Sequence, residues 1–148
     1  MSNILDQFKH LDAVQVKSGT EVITEGSDLN QLHVLAYGGV DIYKGETRVA
    51  SANQPGSVFG EISVLLKTPC TATVKTTQDS TFYIVEQPDA FLQANPVVAL
   101  HVSRLLAVRL NNLTQYLIDV KNQFEGDDHI GMVEDILNTL INRQPKEL

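Results

Sequence analysis

Between Val14 and Val85 apolar residues recur with a period of two, and turn residues interrupt them every few positions. That rhythm marks extended strands over most of this stretch, because side chains fall alternately on two faces in a strand. Val14 and Val16 alternate, Val22 and Ile23 precede the turn Glu25-Gly26-Ser27-Asp28, and Leu32, Val34 and Ala36 interleave with His33, Leu35 and Tyr37. Gly38-Gly39 reads as a two-residue hairpin turn leading into Val40 and Ile42. Lys44-Gly45-Glu46 and Gln54-Pro55-Gly56 are further turns. Gln78-Asp79-Ser80 separates the β-branched and aromatic runs Thr71–Thr77 and Thr81–Val85. Many short strands with glycine at the corners predict a mainly β fold with flanking helices. The expected architecture is an antiparallel β-barrel of double-stranded β-helix or jelly-roll form.

Both ends are helical in pattern. Ile4, Leu5, Phe8 and Leu11 share one helical face and predict a short amphipathic helix that caps the barrel. After Pro88, Asp89–Leu92 forms a turn, and Pro96 opens a long helix expected over about Val97–Phe124. Leu106, Leu110, Leu113, Leu117, Val120 and Phe124 follow a 4-3-4-3-4 spacing on it, the seam of a coiled coil. Val98, Val102 and Leu105 form a second stripe that is expected to face the barrel. A seam of this length is costly to leave in water, so a parallel homodimer through it is expected, with packing inside one monomer as the alternative. Gly126-Asp127-Asp128 ends the helix and caps a last one bearing Ile130, Val133, Leu137, Leu140 and Ile141. The expected division is a domain over 1–125 and an accessory helix and polar tail over 126–148, with the chain complete or nearly so.

Composition narrows the function classes. A chain of 148 residues with 43% hydrophobic and 20% charged residues suits one folded domain. The start of the chain carries Asp6 and lacks a basic stretch followed by an apolar run, so no secretory signal is read there. One cysteine, Cys70, cannot form an intramolecular disulfide, which fits a cytoplasmic setting. Eighteen acidic against eleven basic residues give a net charge of −7, and no Lys/Arg cluster occurs. Direct nucleic-acid binding is therefore not expected, because phosphate neutralisation dominates that affinity. The histidines, His10, His33, His101 and His129, form no ligand pair, and no nucleophile motif appears, so neither a metal nor an enzyme is expected.

One insert breaks the strand rhythm. Glu61–Leu66 reads as a single helical turn set between strands. A helix start offers unpaired amides and partial positive charge to an anion, and Gly60 lets a ligand approach the backbone. Glu61 would repel an anion unless its carboxylate accepts a hydroxyl of the same ligand. A ribose phosphate carries both features.

The run Phe59-Gly60-Glu61-Ile62-Ser63-Val64-Leu65-Leu66-Lys67-Thr68-Pro69-Cys70-Thr71-Ala72-Thr73-Val74 resembles the phosphate-binding cassette of cyclic-nucleotide-binding domains. That family includes bacterial catabolite activators, regulatory subunits of cyclic-AMP-dependent kinase and cyclic-nucleotide-gated channels. The resemblance extends more loosely from about Phe8 to about Tyr116. It implies cyclic AMP or cyclic GMP as ligand and no other cofactor. Glu61 would then bind the ribose 2′-hydroxyl, with Gly60, Ile62 and Ser63 contributing backbone groups near the sugar phosphate. Thr71 and Ala72 would face the phosphate through their amides, and a threonine at Thr71 favours the guanine base. In the family an arginine pairs with the phosphate where this chain has Cys70. A thiol cannot replace the two parallel charge-assisted hydrogen bonds of a guanidinium. At about 1.5–3 kcal/mol for such bonds, affinity falls roughly ten- to a hundredfold, to the micromolar range or weaker. Lys67 and Arg104 are the cations available as substitutes.

Two functions follow. One is a regulatory module that senses a cyclic nucleotide and signals through the long helix to an unknown protein partner. The other is a degenerate relative, without ligand, that serves as a dimerisation or docking domain. The catabolite activators carry a winged helix-turn-helix after the long helix, and 125–148 is too short for one.

Overall fold

The computed structural model describes residues 3–123 and 130–142. Eight strands form two four-stranded antiparallel sheets. The first runs in the order β1 (Ala13–Val16), β8 (Ser80–Val85), β3 (Leu32–Tyr37), β6 (Val58–Phe59). The second runs β2 (Glu21–Ile23), β7 (Thr73–Thr76), β4 (Val40–Lys44), β5 (Thr47–Ala52). This is the jelly-roll arrangement that the turn-punctuated strands predict. Among the described residues there are four α-helices: α1 (Glu61–Leu66), α2 (Pro88–Ala94), α3 (Pro96–Gln123) and α4 (Ile130–Asn142). By internal contacts the chain divides into two compact units, Met1–His101 and Val102–Leu148.

Gly38-Gly39 is not a hairpin turn. β3 and β4 belong to different sheets, and among the described residues β4 and β5 are the one consecutive pair that is hydrogen-bonded. The two glycines instead turn a corner between sheets. Gly38 has φ +109°, and a Cβ there would lie 2.6 Å from the Ser80 Cβ. Ser80 Oγ accepts a hydrogen bond from the Gly39 amide at 3.2 Å, and the Thr77 amide donates to the Gly39 carbonyl at 2.9 Å. A hairpin and a corner look alike in sequence because each needs glycine at a positive φ.

The N-terminal helix is a 3-10 helix over Ile4–Phe8, with Asn3 accepting the Leu5 amide as its cap. Phe8 is fully buried and stacks on Tyr83 and Phe91. α2 is a helix in its own right and not the first turn of α3: the chain breaks between them at Asn95. Asn95 causes the break. Its side chain donates to the Phe91 carbonyl at the end of α2, and its own carbonyl accepts from Val98 and Ala99 at the start of α3. Pro96 then occupies the first helical turn, where a missing amide costs nothing. His101 bonds the Gly56 carbonyl at 3.0 Å and so ties the start of α3 to the turn before β6.

On α3, Val98 and Val102 are buried and Leu105 is half-buried, whereas Leu110 and Leu113 are 47% and 46% exposed. Leu106, Leu117 and Val120 are half-buried, and Phe124 lies outside the described residues. Gly126-Asp127-Asp128, the Ile130 and Val133 side chains and the tail from residue 143 also lie outside them. No single described helix is long and apolar enough to cross a membrane.

β3 is covered on both faces. Leu32, His33, Val34 and Leu35 are all buried, so the alternation in its sequence does not mark a wet face. The His33 ring stands edge-on to Phe82, and its Nδ1 has no hydrogen-bond partner among the described residues. Burial pushes its pKa from 6.5 down to about 4. The folded chain therefore keeps the ring neutral where the unfolded chain protonates it. This contribution is complete above pH 6.5 and is lost as pH falls through about 4, on the order of 2–3 kcal/mol at pH 4.5. Urea midpoints at pH 7.5 and 4.5 should differ by less in His33→Phe than in the parent chain; equal differences would contradict the buried neutral ring.

Candidate functional site

The site begins with Phe59, the last residue of β6, which is buried in the apolar core and pairs in register with His33. Gly60 then turns the chain into α1 at φ +86°. A Cβ on Gly60 would meet the Gln31 carbonyl oxygen at 2.6 Å, so the position excludes any side chain on two counts, conformation and space. The Gly60 carbonyl accepts the Val64 amide and the Ser63 hydroxyl, which closes the first turn. Apolar Val64 is fully buried on the inner side of α1, and Ile62 is 40% exposed on the other.

Glu61 occupies the first turn of α1 and is only 6% exposed. A carboxylate belongs there electrostatically, because the helix start carries partial positive charge. Its burial shows that the side chain is turned inward and does not lie along the helix surface. Ser63 is likewise buried. Lys67 ends α1 in the left-handed conformation at φ 57°, its amide bonded to the Ser63 carbonyl, and its ammonium pairs with Asp89 on α2. That pairing gives Lys67 an exposed ion-pair partner on α2. Arg104 belongs to the second unit and is exposed.

Cys70 is 5% exposed. Its thiol donates to the Leu29 carbonyl at 3.6 Å and lies 3.9 Å from Ser63 Oγ. Its backbone is held from both sides, with the Cys70 amide donating to the Ser27 carbonyl and the Gly26 amide donating to the Cys70 carbonyl. The side chain packs in the cluster of Ile23, Leu35, Val40, Phe59, Val74 and Phe82. Thr71 and Ala72 follow as half-buried, irregular backbone, outside the strand that the threonine-rich run predicts. The reason is the Gly26–Cys70–Ser27 bracket, which pins the chain before the regular ladder of β7 starts at Thr73. Among the described residues the Thr71 and Ala72 amides take part in no hydrogen bond. They are donors held in place and available.

The structure thus brings Ser63 and Cys70 into contact and sets Glu61 two residues before Ser63 on the same short helix. The loop over 26–31 has a positioning role that the sequence did not reveal. Ser27, Leu29 and Gln31 act through carbonyl oxygens, and carbonyls leave no trace in side-chain pattern. A cavity of about 210 Å³ opens beside this loop, lined by Asp28, Leu29, Asn30, Ser63, Lys67, Thr68 and Pro69. Of the expected site residues it reaches Ser63 alone. Among the described residues no group of three or more His, Cys, Asp and Glu is placed to hold a metal ion.

A model of the cyclic nucleotide-binding domain matches residues 13–95, from the first residue of β1 to the end of α2. The chain belongs to this family. Over 89 residues it is 33% identical to a cAMP-dependent protein kinase regulatory subunit of Mucor circinelloides f. lusitanicus, matching 56% of this chain and 21% of that protein. It is 28% identical over 102 residues to patatin-like phospholipase domain-containing protein 6 of Homo sapiens, matching 64% of this chain and 7% of that protein. The chain therefore spans a small part of each of these relatives. Its fold is similar to that of the catabolite activator protein of Thermus thermophilus, with a TM-score of 0.61 and 20% identity over 91% of this chain and 80% of that one. As a cyclic nucleotide-binding domain the chain is homologous to kinase regulatory subunits, as the sequence of the cassette implied.

Gly60→Ala should lower stability by about 1–3 kcal/mol, since it combines a strained backbone with contact against Gln31. A urea titration checks this; an unchanged midpoint would mean that the turn into α1 is free to relax.

Proposed function

We propose that this domain binds a 3′,5′-cyclic nucleotide, cAMP or cGMP, as a regulatory module without a catalytic step. The observation that carries the reading is the buried Glu61 carboxylate behind the left-handed Gly60 turn, inside a chain of this family. Glu61 accepts the ribose 2′-hydroxyl. The amides of the α1 start, from Gly60 to Ser63, and those of Thr71 and Ala72 donate to the phosphate. Cys70 adds no charge, so the ligand is held by amide dipoles and one carboxylate, and affinity is correspondingly low. Phe59 anchors the turn in the core and keeps its position fixed. A change of state at the cassette passes to α3, and the cytoplasm is the setting that suits such a sensor.

Two copies associate in parallel through the α3 seam, Leu106, Leu110, Leu113, Leu117, Val120 and Phe124. The exposure of Leu110 and Leu113 supports this. A protein partner of the dimer reads its state.

Isothermal titration with cAMP and cGMP tests the ligand. Glu61→Gln should weaken binding roughly ten- to a hundredfold, the loss of one charge-assisted hydrogen bond. Cys70→Arg should do two things at once. Without ligand it places a guanidinium among apolar side chains and lowers the melting temperature. With ligand it raises affinity roughly ten- to a hundredfold. No heat at millimolar nucleotide in either protein would overturn the proposal.

One observation favours the second reading, a non-binding docking domain. Cys70 completes an apolar cluster in the space where a phosphate-pairing side chain would be needed. A Cys70→Arg variant that is destabilised and gains no affinity would select it.

A further inference from the structure

We infer that α4 packs on α3 of a second copy, so that the homodimer core is four helices and not two. The inference rests on the proposed α3 dimer and extends it to a helix outside the family match, which ends at residue 95.

α4 cannot be accounted for as a free surface helix. It has 13 residues, a length at which an isolated helix is marginal in water. Its apolar residues nonetheless lie open: Met132 is 61%, Ile136 41%, Leu140 37% and Ile141 74% exposed. None of its described side chains is buried, and Leu137 is half-buried. Met132, Ile136 and Leu140 are spaced by four and form one stripe, and Ile141 extends a second row four residues after Leu137. Such a stripe needs a cover.

Area and charge identify the cover as another copy. Nine large apolar side chains between Val108 and Ile141 are exposed on α3 and α4 together. At on the order of 100 Å² for a fully exposed side chain and about half of that here, they present roughly 450 Å² per copy. A stable interface buries about 800 Å² per partner, a little over half of it apolar. The five exposed apolar side chains of α3, of which Leu110 and Leu113 lie on the seam, supply about half of that apolar share, and the four of α4 supply the remainder.

Charge agrees. Over 102–123, α3 carries Arg104, Arg109 and Lys121 against Asp119, whereas the described part of α4 carries Glu134 and Asp135 and no basic residue. The helices attract each other within a chain, as the Lys121–Glu134 ion pair shows, and the same complementarity operates between chains. Their charges cancel, so self-association through this surface is not opposed by the net −7 of the whole chain. An acidic, non-basic polar face also disfavours an anionic membrane as the alternative cover.

The test is sedimentation equilibrium on the full chain, with far-UV circular dichroism to verify folding. The parent should be a dimer. Leu113→Glu on α3 and the double variant Met132→Glu/Ile141→Glu on α4 should each raise the dimer dissociation constant at least ~100-fold, and Ile141→Leu should leave it unchanged. If the α4 double variant dimerises like the parent while Leu113→Glu dissociates, the four-helix core is wrong and the α3 dimer stands. If the parent is monomeric at about 100 μM, both readings fall. Binding of a monomeric parent to anionic phospholipid vesicles overturns the inference in favour of a lipid cover.

Discussion

Apolar contact between the two sheets is the interaction on which the rest depends. Ile23, Val40 and Val74 come from β2, β4 and β7, and Leu35, Phe59 and Phe82 from β3, β6 and β8. Each sheet is antiparallel and has one face to hide, and the two faces meet here. Burial of this kind is worth about 1.5–3 kcal/mol for each large side chain. Phe59 belongs to the cluster and directly precedes Gly60, so the packing that stabilises the fold also fixes where α1 begins. The position of the Glu61 carboxylate is a consequence of core packing. It is not free to drift as a surface loop would.

Cys70 sits where two demands on one residue meet. A cassette that holds an anion needs a charge at this point, and a core needs a small apolar group. The thiol meets the second demand, with its weak contacts to Leu29 and Ser63 satisfying a weak donor. The backbone bracket by Gly26 and Ser27 is made by main-chain groups, so the course of the chain at residue 70 does not depend on the thiol. The backbone course of residues 70–72 and the chemistry of the Cys70 side chain are therefore separable. One is set by backbone pairing and the other by a single side chain.

Helical parts obey a different balance. Val98 on α3 is buried, while Leu110 and Leu113 farther along and most described side chains of α4 are exposed. A sheet satisfies its backbone through neighbouring strands, whereas a helix satisfies its own and can remain exposed if something covers its stripe. That is why much of the exposed apolar surface lies on α3 and α4, while the strands expose single side chains such as Tyr37 and Val49.

By itself the sequence determined the strand rhythm, the helical insert Glu61–Leu66, the long helix from Pro96 and the identity of the cassette residues. All of these are local: period, turn chemistry and residue type at fixed spacing carry them. It also marked Gly60 as the turn into that helical insert and Glu61 as its first residue. Tertiary structure alone decided which strands pair, and so whether Gly38-Gly39 is a hairpin or a corner between sheets. It decided that Asn95 separates α2 from α3, that Thr71 and Ala72 leave the strand, and that Cys70 is enclosed. Each of these depends on a partner distant in the chain, often a carbonyl oxygen such as that of Ser27, Leu29 or Gln31. Every residue carries a carbonyl, so no side-chain pattern can say which one will be used.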